Sequence, residues 1–276
     1  MMLSVIFGLL SALSWGAGDF CGGLATKRTS AYTVVILGDF SGAVLMAVLA
    51  LFFREPLPPA MDWLWAGLAG LAGSLGLIAL YRALASGRMS VASPVAAIVS
   101  GALPIAVGIF LQGWPDGWQI LGFAVALPAV WLLSSNERAR PQWNELSLPA
   151  LAGFGFGLFF ILLHQASHTA VFWSLVAVRL IAIVALILTA LLTRQLQKPA
   201  PGQVPLILLM GMLDVGGNAF FALADKFGRL DAASVLSSLY PAATVGLAWL
   251  VLKEKLHAHQ RVGVLTALAA VVLIAL

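Results

Sequence analysis

The chain has 276 residues, of which 61% are hydrophobic and only 9% charged, against roughly 45–50% and about 25% in soluble globular domains. Most side chains must face lipid or other helices, so the chain belongs in a bilayer. Its 15 Lys and Arg, net charge +4, are scattered through short connections without the basic patch that a nucleic-acid partner requires, and the single cysteine, Cys21, excludes an intramolecular disulfide and a cysteine-based metal cluster.

A helix needs about 20 apolar residues to cross roughly 30 Å of hydrocarbon. On that ruler the sequence predicts ten spans, at about 3–25, 32–53, 63–85, 90–111, 118–134, 148–167, 171–193, 204–224, 232–252 and 261–276. The first has no basic n-region and is too long for a signal-peptide core, so it reads as a retained helix. No connection is long enough for a soluble domain, and the longest, 136–147, reads as a linker between halves at 1–135 and 148–276.

Five charged residues fall inside these spans: Asp19, Asp39, Arg82, Arg179 and Asp214. An Asp at a helix centre costs on the order of 2.5–3.5 kcal/mol, so each should face the bundle interior or a watery cavity. In the first span Asp19 follows Trp15 by four residues, on one helical face. The pair reads either as a receptor for an ammonium group or as an interhelical hydrogen bond with a packing tryptophan. In the third span Gly67, Gly70, Gly73 and Gly76 allow close helix approach, Tyr81 is a cavity-lining candidate, and Arg82 is near enough to the end to snorkel. Pro94, Pro104 and Pro241 are expected to kink the fourth and ninth spans and to free carbonyls for a cavity.

The second half supplies the remaining candidates. His164 and His168 have i, i+4 spacing, but two ligands without a third do not make a metal site, and His164 reads instead as a cavity or proton-relay residue. Gly211, Asp214, Asn218 and Phe221 form a stripe along the eighth span. Asp214, near mid-span, is the leading proton-coupling candidate, with Asp19 beside it. The expected substrate-binding set is Trp15, Asp19, Asp39, Tyr81, His164, Arg179, Asn218 and Tyr240; no metal or other cofactor is expected.

Gly87-Arg88-Met89-Ser90-Val91-Ala92-Ser93 recurs as Gly228-Arg229-Leu230-Asp231-Ala232-Ala233-Ser234, an offset of 228 − 87 = 141 and close to half the chain. Five spans per half is an odd number, so the second half enters the membrane in the opposite sense. The fold expected is all-α, with ten transmembrane helices in two inverted five-helix repeats. The odd-numbered connections hold Lys27, Arg28, Arg88, Arg138, Arg140, Arg194, Lys198, Lys253, Lys255 and Arg261, the even-numbered ones Arg54, Lys226 and Arg229. By the positive-inside rule the odd connections are cytoplasmic and both termini outside.

Ten spans, two similar halves, Gly-Arg-x-(Ser/Asp)-x-Ala-Ser at the start of the fourth and ninth with a proline inside each, and Leu252-Lys253-Glu254-Lys255-Leu256 followed by Gln260 and Gly263 together resemble the EamA branch of the drug/metabolite transporter superfamily. The resemblance covers essentially the whole chain. It implies a multi-pass carrier in the bacterial inner (plasma) membrane, an efflux antiporter rather than an enzyme, monomeric or homodimeric, with its cavity between the halves and small metabolites such as amino acids or drugs as cargo. That family often carries an Arg in the second and seventh spans; here the seventh has Arg179 and the second has Asp39.

Matching Gly8 to Gly153, an offset of 145, sets Asp19 opposite His164, and an offset of 140 sets Asp39 opposite Arg179. Two acids facing two basic groups suit a zwitterion. Their depths, counted from the loops, differ by about 10 Å at 1.5 Å per residue, so no direct Asp39–Arg179 salt bridge is predicted. The competing readings are an intramembrane enzyme, for which no clustered acid, His or nucleophile is evident, and a non-transporting receptor or assembly protein.

Overall fold

A computed structural model describes residues 2–85, 89–134, 146–253 and 257–276, leaving aside the side chains of residues 81, 84–85, 89–94 and 134. Residues 136–145 of the expected linker and Gly87-Arg88 of the first Gly-Arg motif thus lie outside the described residues, as do the side chains of the rest of that motif. Everything regular in the described part is helical. The first half comprises α1 (Met2–Thr26), α2 (Ala31–Phe52), α3 (Ala60–Ala85), α4 (Met89–Gln112) and α5 (Gly117–Ser134). The second comprises α6 (Ser147–Ala166), α7 (Val171–Leu192), α8 (Val204–Lys226), α9 (Leu230–Ser237), α10 (Tyr240–Leu252) and α11 (Ala258–Ala275). Nine segments are long and apolar enough to cross a membrane by length and composition among the described residues, counting α9 and α10 together, and the shorter Gly117–Leu133 completes ten. In hydrocarbon every backbone amide must be satisfied internally, and helices do so within one segment.

The ninth span is not the continuous helix expected. It breaks after Ser237 and restarts at Tyr240, because Pro241 has no N–H to offer the Ser237 carbonyl, and Ser234 and Ser238 turn their hydroxyls back onto the Leu230 and Val235 carbonyls. The fourth span, by contrast, stays one helix past Pro94 and Pro104.

The helix contacts obey a twofold exchange of halves. Helix α1 packs on α8 as α3 packs on α6; α2 packs on α8 as α7 packs on α3; α4 packs on α6 as α9 and α10 pack on α1. The contacts α2 with α7, α4 with α9 and α5 with α11 map onto themselves. The fold is therefore two inverted five-helix repeats that interlock, with one core drawing Trp15 and Met46 from the first half and Phe160, Leu175 and Phe221 from the second.

The same symmetry holds residue by residue. Gly211 lies against the backbone of Gly38, and Gly70 against the backbone of Val178, with offsets 211 − 70 = 141 and 178 − 38 = 140. Gly16 abuts Tyr240 and Ala243, and Gly157 abuts Ser100 and Leu103, again at 141 and 140. Arg54 (φ 51°) and Arg194 (φ 54°) are left-handed residues 140 apart. Each closes its helix with a hydrogen bond to the carbonyl five residues before the next residue: Glu55 N–H to Ala50 at 2.8 Å and Gln195 N–H to Ala190 at 2.9 Å.

This register corrects the match of Gly8 to Gly153. The first and sixth spans correspond at 141, so Asp19 stands opposite Phe160, not His164. Because lipid supplies no hydrophobic drive between helices, their association rests on such close backbone contacts. Gly211→Ala is expected to force α2 and α8 apart and to cost about 1–3 kcal/mol, read as a lower melting temperature in detergent. Gly246→Ala, where nothing lies within 4 Å of the added carbon, should leave it unchanged. Equal melting of the two variants would show that the α2–α8 crossing is not tightly packed.

Candidate functional site

Asp19, Asp39 and Asp214 all belong to helices measured from the face that carries the odd-numbered connections. They lie 7 residues from the end of α1, 8 from the start of α2 and 10 from the start of α8, or about 10, 12 and 15 Å deep. Arg179 lies 8 residues in from the opposite, even-numbered face. Four ionisable groups thus gather near mid-membrane on four different helices.

Arg179 joins two of them. Its Nη1 donates to Asp39 Oδ1 at 2.5 Å and its Nη2 to Asp214 Oδ2 at 2.5 Å. The direct Asp39–Arg179 pair corrects the expectation that depth keeps the two apart. Both residues sit eight positions in from opposite ends of 22-residue helices, leaving about five residues, or about 8 Å, of depth between their backbones. The length of the arginine side chain bridges it. Moreover α2 and α7 form a self-symmetric contact, so equivalent positions meet near the axis. The fork of the guanidinium lets one cation hold two carboxylates, which a lysine cannot do with the same geometry.

Exposure is graded across this triad: the Asp39 side chain is 5% exposed, Arg179 10% and Asp214 37%. Asp19 is exposed, and it lies within electrostatic range of both Asp214 and the Tyr240 hydroxyl. Neither Asp19 oxygen has a hydrogen-bond partner among the described residues. The carboxylate is thus open although its helix packs on both α8 and α10.

The floor beneath is aromatic. Trp15 is buried, its Nε1 donating to the Asp214 carbonyl at 3.0 Å, and Asn218 Nδ2 donates to the same carbonyl at 3.3 Å. The indole lies 5.6 Å from Phe160 and 6.3 Å from Phe221. Trp15 and Asn218 therefore fix the backbone that carries Asp214, and the Trp15 ring packs against Phe160 and Phe221. Ser14 and Ser11 tie α1 further to the Leu213 and Gly217 carbonyls. The Tyr81 side chain lies outside those described, and Arg82 is exposed near the end of α3.

His164 is elsewhere. Its Nδ1 lies 2.5 Å from Asp225 Oδ2, near the even-numbered face, and its ring is 4.8 Å from that of His168 in an edge contact. Asp225 and Asp231 fall just outside the spans expected at 204–224 and 232–252, yet Asp225 is buried in α8 and Asp231 is fully buried in α9. A signal for Asp225 exists: the stripe 211, 214, 218, 221 continues at 225 by the same helical step. The second Gly-Arg motif proves to be a clasp. Arg229 pairs with Asp231 at 2.7 Å and donates to the carbonyls of Gln112 at 3.2 Å and Gly113 at 2.6 Å, joining the start of α9 to the end of α4.

The two ends of the bundle differ. All eight residues of α9 are buried, whereas of the thirteen in α10 only Pro241 is. Apart from Pro241, α10 is half-buried as far as Ala248 and exposed from Trp249 to Leu252. Gly23 and Gly246 likewise have nothing within 4 Å of an added carbon. Among the described residues, then, packing is dense around α9 and looser along α10, toward the odd-numbered face, and Asp19 and Asp214 keep exposed carboxylate surface. Removing Arg179 strands two carboxylates: Arg179→Ala should cost about 3–5 kcal/mol, read by thermal melting, and adding Asp39→Asn should recover part of the loss. Additive losses in the double variant would show that the pair is not coupled.

The profile of the EamA-like transporter family matches residues 2–135 and again residues 144–276. A comparison with curated protein sequences returns no match. Among 29 solved chains that match, a crystal structure titled only as that of a protein superposes with a TM-score of 0.81 over 99% of this chain and 98% of its own, at 15% identity. At that identity the likeness speaks to fold alone. With both halves matched across nearly their full length, this multi-pass integral membrane protein belongs to the EamA-like transporter family, within the drug/metabolite transporter superfamily.

Proposed function

We propose that the chain is a secondary transporter that exports small metabolites, such as amino acids or drugs, by alternating access and in exchange for protons. The observation that carries this reading is Asp214: a carboxylate at the centre of a span, 37% exposed and hydrogen-bonded to Arg179. Intramembrane acids that face a cavity are the groups carriers use to take up and release protons.

The architecture supports alternating access. Two interlocked inverted repeats have two equivalent ways to pack, one opening each face. With the odd-numbered connections cytoplasmic by their Lys and Arg, Asp19 and Asp214 lie nearer the cytoplasmic face of a bacterial membrane and the cargo enters from there. The Arg179 fork ties the moving parts together, since it joins α2, α7 and α8.

The experiment is flux into proteoliposomes with and without an imposed pH gradient. Asp214→Asn should bring gradient-driven transport down to its no-gradient level while sparing exchange of labelled for unlabelled substrate. Retention of the full pH dependence by Asp214→Asn would remove that residue from coupling, and absence of flux for a broad metabolite panel would count against a carrier.

A further inference from the structure

We infer that the cavity selects an organic cation without a carboxylate, an amine held by Asp19 and Asp214, and this inference rests on the carrier reading above. An α-amino acid bears its ammonium and carboxylate on one carbon, so a site for it needs a cation and an anion side by side. Among the described residues, the charges set at this depth without a partner of opposite sign are carboxylates. Asp19 is exposed with no hydrogen-bond partner among the described residues, and Asp214 keeps Oδ1 without one there while Oδ2 takes Arg179.

Among the described residues, the one cation at that depth is committed. Arg179 spends Nη1 on Asp39 and Nη2 on Asp214, its Nε is buried, and only 10% of its side chain is exposed. A substrate carboxylate would have to displace a protein carboxylate from it. Arg82 and Arg261 lie toward the same face, each three residues from an end of its helix, about 5 Å deep against about 10 Å for Asp19 and 15 Å for Asp214. Their helices, α3 and α11, are not among those packed closely on α8, which carries Asp214. His164 is occupied by Asp225 near the other face.

The break in the ninth span points the same way. Where it restarts at mid-membrane, next to Tyr240, a helix N-terminus ordinarily offers free amides to an anion. Here Pro241 has no N–H, and the Ala242 N–H is taken by the Leu239 carbonyl at 2.9 Å. What the break leaves over is an acceptor, the Ser237 carbonyl that Pro241 cannot reach. The Tyr240 hydroxyl, in electrostatic range of Asp19, adds an oxygen. Carboxylates and a hydroxyl suit an ammonium group, and among the described residues they offer a carboxylate no cation.

The test is binding of matched pairs to the purified full chain in nanodiscs: tyramine against tyrosine, tryptamine against tryptophan, cadaverine against lysine, with tyrosol as the uncharged control. At least one amine is expected to bind about tenfold or more tightly than its amino acid, and Asp19→Asn to remove about tenfold of that affinity while leaving tyrosol unchanged. Asp19→Glu should keep the preference, which separates lost charge from lost fold. Equal or tighter binding of the amino acids, equal losses for amine and tyrosol in Asp19→Asn, or no binding by any amine would overturn the inference. Counterflow of the same compounds judges the carrier reading separately: flux of zwitterions alone sinks the cation site and leaves the carrier standing, whereas specific amine binding without flux of any compound supports the site and sinks the carrier.

Discussion

An arginine in the middle of a bilayer must be paired, and the rest of this site follows from how Arg179 is paired. Its two carboxylates come from α2 and α8, which cross where Gly38 and Gly211 bring the backbones together. Asp39 follows that contact by one residue and Asp214 by three, so the acids are set by the glycine crossing as much as by their own charge. The pairing also fixes sign and exposure. With Asp39 and Arg179 nearly buried and Asp214 partly open, the triad presents its surplus negative charge to the cavity and keeps its positive charge behind.

The repeat supplies the scaffold and its violations supply the chemistry. In the mirrored crossing Gly70 lies against Val178, the next residue is Arg179 where the first copy has Asp39, and Gly73 occupies the position of Asp214. Asp19 is mirrored by Phe160 and Tyr240 by Ser100. Each polar group of the cavity therefore has an apolar, small or oppositely charged counterpart across the pseudo-twofold axis. Two symmetric acidic lobes would have doubled the cost of charge in hydrocarbon; one lobe confines it to the space between α1, α2, α8 and α10.

The spans, the half-length repeat and the inverted sense were legible in the sequence, because membrane length and an odd helix count leave little choice. Asp19, Asp39, Arg179, Asp214, Asn218 and Tyr240 were legible as candidates for the same reason, since polar residues at that depth have few permissible positions. Register was harder. Matching Gly8 to Gly153 compares identical residues, whereas the corresponding glycines are Gly16 and Gly157, recognisable only by what they pack against. The identical prolines differ in effect: Pro241 starts a new helix behind two serines whose hydroxyls donate to the Leu230 and Val235 carbonyls, and Pro104 sits inside a helix that continues. Asp225 and Asp231 fall outside the expected spans because apolar content ends near them, although both are buried by partners that the linear sequence does not reveal.

The true register also explains which face is shut. His164 and Asp225 correspond, at the offset of 141, to Gly23 and Leu84. On the even-numbered face that position holds an ion-pairing couple linking α6 to α8; on the odd-numbered face a glycine and a leucine have no group able to form one. The packing agrees, since α6 touches α8 and α9 while α1 does not reach α3 and α4 to the same extent among the described residues. Glu55 adds to the closed side by accepting the Val171, Phe172 and Trp173 amides at 2.7, 3.2 and 2.9 Å, and Arg229 by clasping α4. Among the described residues, closure of the odd-numbered face has no such central pair to draw on, so there the two packings that the repeat makes equivalent in shape are unequal in the bonds that hold them.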